Sequence, residues 1–329
     1  MLLIIKGGIV MSENVMSENV MSEKTLQAKT PINNENPVKL HKKKKLTVYN
    51  VVVYGVLGIF SLLCFFPLAY VLLLSFSTEA DWMNSTLLVI PKNFHFENYK
   101  ANLLAGYIPQ AFGNSIFLVV AKTLYQMTLT SLAAYAFTRK DVPGIRIIFT
   151  LFVIPMFFGG GLLPFYLTVR ATTGLNTLWS LIIPFGLSGY NMIVLRNFFS
   201  AIPESVIESC RIDGASDIRI LVQFVLPLSK AGLATIALFY MVGTWNEWYW
   251  PSIFLQDIEI YPLALLVRQS LNPGEMSADR WKGSYDTMKT YGEGLNAAMT
   301  VIALAPILAI YPVLQKYFTQ GVMVGSVKG

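Results

Sequence analysis

The sequence predicts an all-α, polytopic membrane protein with six transmembrane helices, and its composition and uncharged runs are the basis of that prediction. Apolar residues make up 54% of the 329-residue chain and charged residues 13%, whereas charged residues are about a quarter of an average soluble domain. Three stretches, 47–78, 171–195 and 295–315, contain no formal charge. Each is longer than the roughly 20 apolar residues that cross a bilayer as a helix.

Residues 1–46 precede the first predicted span and are expected to form a disordered, basic cytoplasmic tail. The sequence Met-Ser-Glu-Asn-Val occurs twice between Met11 and Val20, and a third copy begins at once; a polar repeat of this kind has no apolar face to bury. The block Lys42–Lys45 stands just before the first span, as topology anchors on the cytoplasmic side do. Four methionines could mark the true start of translation: Met1, Met11, Met16 and Met21.

Six spans are predicted between residues 47 and 320, which together form one transmembrane domain. They lie at about Val48–Leu74, Pro109–Phe137, Ile147–Val169, Leu175–Leu195, Ala231–Leu255 and Leu295–Gln315. An even number of spans places both termini on one side, and cations concentrate in the short loops of that side: Arg139, Lys140, Arg146, Arg196, Arg211, Arg219, Lys230, Lys316 and Lys328. We therefore expect both termini, including the tail 321–329, to be cytoplasmic.

The sequence contains no pattern typical of catalysis, metal binding or nucleotide binding. The phosphate-binding pattern G-x-x-x-x-G-K-[ST] does not occur. His41 and His95 are predicted on opposite sides of the membrane, so they cannot share a metal ion. Much of the net charge of +6 is the lysine block before the first span, so a nucleic-acid partner is not expected. We expect neither enzyme activity nor a cofactor in this chain.

The segment from Pro203 to Pro227, between the fourth and fifth predicted spans, is predicted to be an interrupted pair of short helices. Pro203 suits the first turn of a helix, and Glu204 favours the positive end of the helix dipole. Gly214 permits a sharp turn, and Asp213 is expected to cap the second helix. On composition alone, an ordinary amphipathic loop is an equally good interpretation.

Small residues in this segment would allow another protein to approach its backbone closely. The spacing resembles the EAA loop of ABC importer permeases, in which a Glu and two small residues are followed by a Gly six positions after the Glu and by a Leu-Pro ending. In this sequence those residues are Glu208, Ser209, Cys210, Gly214, Leu226 and Pro227, and Asp213-Gly214-Ala215 matches the usual wording as well. Ser209 and Cys210 replace the Ala that the family usually has, but both are small.

Other stretches resemble the carbohydrate-uptake branch of that family, the relatives of the maltose permease. Ala134–Arg139, with Pro143-Gly144 after it, is similar to the family's connection between its second and third spans, and Trp245–Trp248 is similar to its fifth-span motif. The ending Gly321–Gly329 is very like the tail of a subgroup that handles larger oligosaccharides. The resemblance extends from about Lys45 to the last residue.

The resemblance implies a permease subunit of an ATP-driven oligosaccharide importer in the bacterial cell membrane, with the type I permease fold and a cytoplasmic coupling helix. Its implied partners are a second homologous permease, a cytoplasmic ATPase dimer that holds ATP and Mg²⁺, and an extracellular or periplasmic sugar-binding protein. The loop residues implied to contact the ATPase are Glu204, Glu208, Ser209, Cys210, Asp213, Gly214 and Ala215. The C-terminal tail would run along the ATPase at Gly321, Gly325 and Ser326, unless it is a frayed terminus.

Polar and aromatic residues inside the predicted spans are the candidates for the substrate pathway, since a charge in hydrocarbon is costly unless it faces a cavity or a partner. They are Lys122 in the second span and Trp245, Asn246, Glu247 and Tyr249 in the fifth. Sugars are held by aromatic faces and hydrogen-bonding side chains, and a cation at Lys122 would suit an acidic oligosaccharide. Equally, Lys122 and Glu247 could pair with each other or with the partner permease, and Asn246 and Glu247 could join helices, for structural reasons.

Two other classes of membrane protein are less consistent with the sequence than the importer. An ion-coupled secondary transporter could use Lys122 and Glu247 as a relay, but such proteins often contain inverted repeats and more spans, and the sequence shows neither. A receptor or scaffold would have no use for the strict spacing from Glu208 to Pro227.

Overall fold

The computed structural model describes residues 48–85, 91, 94–105, 107–272 and 292–326. It divides into two compact units, 1–59 and 60–329, and the sites discussed below belong to the second. The predictions for the tail 1–46 and for residues 327–329 lie outside the described residues. Within the described residues all regular secondary structure is helical, which confirms the predicted all-α class.

The described helices are numbered here in chain order. They are α1 Val48–Ser75, α2 Glu79–Met83, α3 Glu97–Ala105, α4 Ile108–Ala136, α5 Ile145–Phe157, α6 Leu162–Thr172, α7 Gly189–Ser200, α8 Glu204–Ile212, α9 Asp217–Leu228, α10 Lys230–Trp245, α11 Tyr249–Phe254, α12 Leu263–Leu271 and α13 Gly292–Ser326. Two 3₁₀ turns, Leu178–Leu181 and Ile183–Phe185, precede α7. α9 is α-helical at both ends and π-helical over Leu221–Val225.

Three helices are long and apolar enough to cross a membrane without a break: α1, α4 and the part of α13 from Gly292 to Ile310. They correspond to the first, second and sixth predicted spans. Three further pairs of segments meet the same requirement only together, and each pair is bent: α5 and α6 by 116°, the 3₁₀ turns and α7 by 49°, and α9 and α10 by 86°. By length and composition, the described residues therefore contain three continuous helices that could span a membrane, and up to six such spans if each bent pair counts as one.

The third predicted span, Ile147–Val169, is not a single helix. α5 ends at Phe157 and α6 begins at Leu162. Between them Gly161 has a φ of +85°, in the left-handed region that glycine adopts without a Cβ penalty. A continuous helix would need a φ near −63° at this position, so the chain turns here instead.

The fourth predicted span, Leu175–Leu195, is displaced towards the C-terminus. Its first half forms the two 3₁₀ turns around Pro184, which has no backbone N–H to donate to a regular helix. α7 starts only at Gly189 and continues to Ser200, beyond the predicted end.

The fifth predicted span, Ala231–Leu255, is interrupted because Glu247 starts a new helix. α10 stops at Trp245. Glu247 Oε1 accepts hydrogen bonds from the backbone N–H groups of Tyr249 at 3.1 Å and Trp250 at 3.3 Å. A carboxylate at a helix N-terminus is stabilised by the free N–H groups and by the helix dipole, so α11 begins where one long helix was predicted to continue.

The helix α4 packs against α7, α10 and α12, and α13 packs against α10 and α12. The largest buried cluster joins α4, α7, α9 and α10. Its fully buried members include Ala134, Met192, Leu195, Ile220 and Ile236. Close packing of this kind holds helices together where lipid supplies no hydrophobic driving force. The loop helix α9 is therefore part of the same core as α4.

One face of α4 is polar and buried. Its members, each at most 6% exposed, recur at helical spacing: Ser115, Lys122, Gln126 and Thr130. Thr130 Oγ1 and the Tyr240 hydroxyl of α10 share a hydrogen bond of 2.7 Å, and Ser115 Oγ accepts one from the Leu263 N–H of α12 at 2.8 Å. Polar groups at membrane depth need such partners or a cavity, so this face holds α10 and α12 in register with α4.

The contact between α7 and α10 is close because Gly232 has no side chain. A Cβ on Gly232 would lie 2.5 Å from Cγ of Phe198, whereas a Cβ on Gly243 of the same helix would meet no atom within 4 Å. We expect Gly232→Ala to lower the free energy of unfolding by about 1–3 kcal/mol through overpacking. We expect Gly243→Ala to leave it unchanged or to raise it slightly through helix propensity. Thermal unfolding in detergent measures both, and equal midpoints for the two variants would contradict the close contact.

Candidate functional site: an exposed helix pair and a polar cavity

α8, a sharp turn and α9 form the helix pair that was predicted between Pro203 and Pro227. α8 begins directly after Pro203 and ends at Ile212. Gly214 follows with a φ of +78°, the left-handed value typical of a residue just beyond a helix end. The glycine thus reverses the chain between the two helices.

The second helix is capped by Ser216. Ser216 has an extended backbone directly before α9, and its Oγ accepts a hydrogen bond from the backbone N–H of Arg219 at 3.4 Å. The prediction that Asp213 caps this helix is wrong, because Asp213 lies before the turn. Its backbone N–H instead donates a hydrogen bond to the carbonyl of Ser209 at 3.1 Å, at the C-terminal end of α8.

The outer face of α8 and the turn is exposed. It carries five of the residues predicted to contact an ATPase: Glu204, Glu208, Ser209, Asp213 and Gly214. Ala215 is half-buried, and Cys210 is only 7% exposed and belongs to the core cluster. Cys210 therefore faces the helix bundle, and its small size serves the packing of α8 on that bundle.

Two large apolar side chains beside the turn were not predicted as site residues. Ile212 is 86% exposed and Ile218 is 70% exposed. Ile212 is the last residue of α8 and Ile218 the second residue of α9, and exposed large apolar side chains beside a polar turn are typical of interaction surfaces. Their positions on either side of the Asp213–Ser216 turn could have identified them from the sequence.

Arg139, in the connection between α4 and α5, ties that connection to the helix pair. Its Nε and Nη2 donate to the two carboxylate oxygens of Asp141 at 2.9 and 2.7 Å, and its Nη1 donates to Asp217 at the start of α9. The hydrogen bonds from Arg139 lower the pKa of the Asp141 carboxyl below its ordinary value. Hydrogen bonds to Asp141 and Asp217 in turn raise the pKa of Arg139. The ion pair of Asp217 with Arg139 was not predicted from the sequence.

A polar cavity of about 400 Å³ lies among α4, α6, α7 and α10. Side chains that can hydrogen-bond line it: Lys122, Gln126, Ser188, Asn191, Tyr240, Thr244 and Glu247. The rings of Phe165 and Phe185 line it as well, and Lys122 Nζ lies 4.6 Å from the centroid of the Phe185 ring, which is within cation–π range. The cavity can hold a polar ligand that also presents apolar ring faces.

Of the five predicted pathway residues, the structure brings Lys122 and Glu247 to this cavity and leaves the other three outside its lining. Trp245 packs on α13, where its Nε1 donates to a backbone carbonyl at 3.0 Å. Asn246 donates to a carbonyl of α10 at 2.9 Å. Tyr249 is 43% exposed. The end of α10 at Trp245 separates these residues into different surroundings.

Lys122 and Glu247 do not form an ion pair, although both line the cavity. In the described part of the chain, the ion pairs are those of Arg139 with Asp141 and Asp217. The alternative of a structural Lys122–Glu247 pair is therefore not realised in this conformation. Neither Gln126 nor Asn191 was predicted; Gln126 lies one helical turn after Lys122 on the same face, which is the pattern that could have identified it.

The C-terminal residues Gly321, Gly325 and Ser326 continue the last helix. α13 runs from Gly292 to Ser326 without interruption. The predicted boundary between the transmembrane domain and a tail at residue 321 is therefore not marked by a helix end.

Comparisons with known proteins agree with this architecture. The family model described as "Binding-protein-dependent transport system inner membrane component" matches residues 126–324, a region that contains most of the cavity and the whole helix pair. Two similar proteins come from Bacillus subtilis (strain 168). Protein LplC is 35% identical over 293 residues, covering 88% of this chain and 98% of the relative. The polygalacturonan/rhamnogalacturonan transport system permease protein YtcP is 36% identical over 290 residues, covering 87% and 100%.

A solved structure has the same fold. It is the crystal structure of a bacterial ABC transporter involved in the import of the acidic polysaccharide alginate, and the matched chain is 28% identical with a TM-score of 0.77. The match covers 82% of this chain and 96% of that one. Together with the family match and the two relatives, this shows that the chain belongs to the binding-protein-dependent transport system inner membrane components.

Proposed function

We propose that the chain is the transmembrane permease subunit of an ATP-driven ABC importer for oligosaccharides and forms half of its translocation pathway. Family membership supports the transport role. One relative is named as a permease for polygalacturonan and rhamnogalacturonan, and the similar solved structure is of an alginate importer. The observation that carries the proposal is the exposed helix pair α8–α9, which is built on the same core as the polar cavity.

The ATPase would bind the exposed face of α8 and the turn. Glu204 and Glu208 are one helical turn apart on that face. Ile212 and Ile218 place apolar area beside them, and an apolar centre with a polar rim is the usual composition of an interface. Gly214 adds a stretch of backbone that a partner can approach closely.

Movement of the helix pair would reach the cavity through two attachments. Cys210 and Ile220 belong to the buried cluster that includes residues of α4, α7 and α10, and these three helices also line the cavity. Arg139 joins α9 to the connection that follows α4. Because packed cores switch between arrangements instead of deforming continuously, closure of an ATPase dimer on α8 would move these helices as bodies.

The remaining parts of the importer follow from this role. A second homologous permease completes the pathway, a cytoplasmic ATPase dimer binds ATP and Mg²⁺, and an external binding protein delivers the oligosaccharide. The basic short loops favour a cytoplasmic position for the helix pair and for both termini. Gly321, Gly325 and Ser326, at the end of α13, would then approach the ATPase. This chain needs no catalytic residue of its own.

An ion-coupled secondary transporter with a Lys122–Glu247 relay has less support. Such a relay needs both groups free to exchange protons or ions. Glu247 Oε1 instead accepts two backbone hydrogen bonds at the start of α11. A self-contained transporter also has no use for an exposed helix pair outside its spans.

The turn at Gly214 tests the docking proposal through backbone conformation alone, because a Cβ there would meet no atom within 4 Å. A β-branched residue is a severe outlier in the left-handed region, whereas Asn tolerates it. In vesicles with the complete importer, we expect Gly214→Val to abolish uptake and ATPase co-purification while inserting normally, and Gly214→Asn to retain both. Wild-type uptake by Gly214→Val would contradict the proposal.

Glu208 tests the same surface through charge. We expect Glu208→Lys to weaken ATPase co-purification by about tenfold or more, because a mismatched charge in an interface costs several kcal/mol. Glu259→Lys is the matched control, since Glu259 is an exposed glutamate in the 3₁₀ turn Ile258–Ile260, far along the chain from α8. The proposed docking face is refuted when both variants hold the ATPase equally well.

The link between Arg139 and Asp217 tests the transmission of movement. Asp217→Ala removes the contact between α9 and the α4–α5 connection, whereas Asp141→Ala removes an Arg139 contact within that connection. An exposed ion pair contributes up to about 1 kcal/mol, so we expect Asp217→Ala to lower the sugar imported per ATP hydrolysed by about two- to fivefold. Asp141→Ala should leave the ratio near the wild-type value. An identical ratio in both variants would remove Asp217 from the coupling path.

A further inference from the structure

We propose that Lys122 and Gln126 form a subsite that recognises a carboxylate and a neighbouring hydroxyl of an acidic sugar unit. The inference rests on the proposed import function and adds the chemical class of its substrate. Both side chains are 6% exposed, lie one helical turn apart on α4 and line the polar cavity. Each has an unused hydrogen-bonding group: the ammonium donors of Lys122 and the amide oxygen of Gln126.

Lys122 supplies a buried cation. An ammonium group has three hydrogen-bond donors, and the described residues provide no hydrogen-bond acceptor and no ion-pair partner for them. The ring of Phe185, 4.6 Å from Nζ, is its cation–π neighbour. A ring face compensates less of the cost of burying a charge than an anion does. Glu247 also acts on the Lys122 charge through space, but not at ion-pair distance, so an anion from outside the chain that binds Nζ directly would add to the stabilisation.

Gln126 supplies an acceptor of fixed direction. Its Nε2 donates to the backbone carbonyl of Phe185 at 2.7 Å. Because a carbonyl oxygen cannot bond another carbonyl oxygen, this contact fixes which way the amide is oriented. Gln126 Oε1 is then buried and has no hydrogen-bond partner among the described residues. A buried acceptor of this kind is costly to leave unpaired, and a ligand hydroxyl would pair it.

The walls of the cavity suit a saccharide. Its volume of about 400 Å³ lies within the roughly 300–1,000 Å³ of small-molecule sites. Phe165 and Phe185 offer ring faces, and Asn191 and Thr244 offer further hydrogen-bonding groups from α7 and α10. A uronic acid meets these requirements. Its carboxylate neighbours a ring hydroxyl, and the C–H groups of its ring form an apolar face that can pack on an aromatic side chain.

The second charged group of the cavity sets the orientation of the ligand. Glu247 lines the same space and repels a carboxylate, whereas it can accept hydrogen bonds from sugar hydroxyls. The acidic end of a sugar unit is therefore directed to Lys122 and its hydroxyls towards Glu247. A neutral sugar would satisfy Gln126 but would leave the Lys122 ammonium without an anion at hydrogen-bonding distance.

The test is ATP-dependent uptake by the complete importer in vesicles, measured with trigalacturonate and with its methyl ester, which has the same rings without the charge. The variants are Lys122→Met, Lys122→Arg and Gln126→Leu. Thr123→Ala is the matched control: Thr123 is 8% exposed on the same helix and its Oγ1 also lacks a partner among the described residues, but it does not line the cavity. All variants share one binding protein, so its own preference cancels when each ratio is divided by the wild-type ratio.

We expect Lys122→Met to lower kcat/KM for trigalacturonate by about tenfold or more relative to the methyl ester, and Lys122→Arg and Thr123→Ala to keep the wild-type ratio. Gln126→Leu should raise KM for both ligands, which share the hydroxyl, and should also lower the thermal midpoint, because it removes the hydrogen bond from Nε2 to the Phe185 carbonyl. A lowered midpoint with unchanged KM would assign Gln126 to packing and overturn its part in the subsite.

Three further outcomes separate this inference from the function on which it rests. An unchanged acid-to-ester ratio in Lys122→Met, or a wild type that imports neutral oligosaccharides but not trigalacturonate, overturns the subsite and leaves the importer standing. A wild type that imports no oligosaccharide with ATP and its partner proteins contradicts the importer itself, and the subsite with it.

Discussion

Polar side chains at membrane depth must find partners inside the protein, and this constraint on α4 organises the rest of the structure. Its buried polar face meets the Tyr240 hydroxyl of α10 and the N–H of Leu263 of α12, so neighbouring helices are placed by hydrogen bonds as well as by packing. Where the face has no complete protein partner, at Lys122 and Gln126, a cavity opens. The same helix leads into the connection that holds α9. One element therefore carries both the polar interior and the link to the exposed loop.

The overall class could be predicted because a bilayer imposes length and apolarity on every span, and these are visible in any window of the sequence. α1 and α4 are accordingly close to their predicted bounds at both ends, whereas α13 begins near its predicted start but continues to Ser326, well past the predicted end at Gln315. The breaks could not be predicted in this way, because single groups decide them. Gly161 turns the chain with a positive φ, and the Glu247 carboxylate starts α11 by bonding two backbone N–H groups. Neither effect is visible in the mean hydropathy of a sequence window, from which spans are predicted.

The lining of the cavity could be predicted only in part from the types of its residues. A charge in an apolar run is conspicuous, so Lys122 and Glu247 were predicted as pathway candidates, and both line the cavity. The amides of Gln126 and Asn191 are not conspicuous in this way. Spacing predicted the helix pair and its turn. It could not show that Cys210 faces the core, because the direction of a side chain depends on how α8 packs against the other helices. Tertiary packing, absent from any local pattern, decided each of these cases.

The exposed isoleucines of the helix pair have a consequence for the amount of the protein that a cell maintains. In the importer proposed above, Ile212 and Ile218 would present apolar surface to water whenever the subunit lacked its ATPase. Surface of this kind promotes aggregation and recognition by quality-control proteases. Copies made in excess of the ATPase would be removed faster than assembled ones. The steady-state amount of this subunit would then follow the supply of its partner instead of its own rate of synthesis.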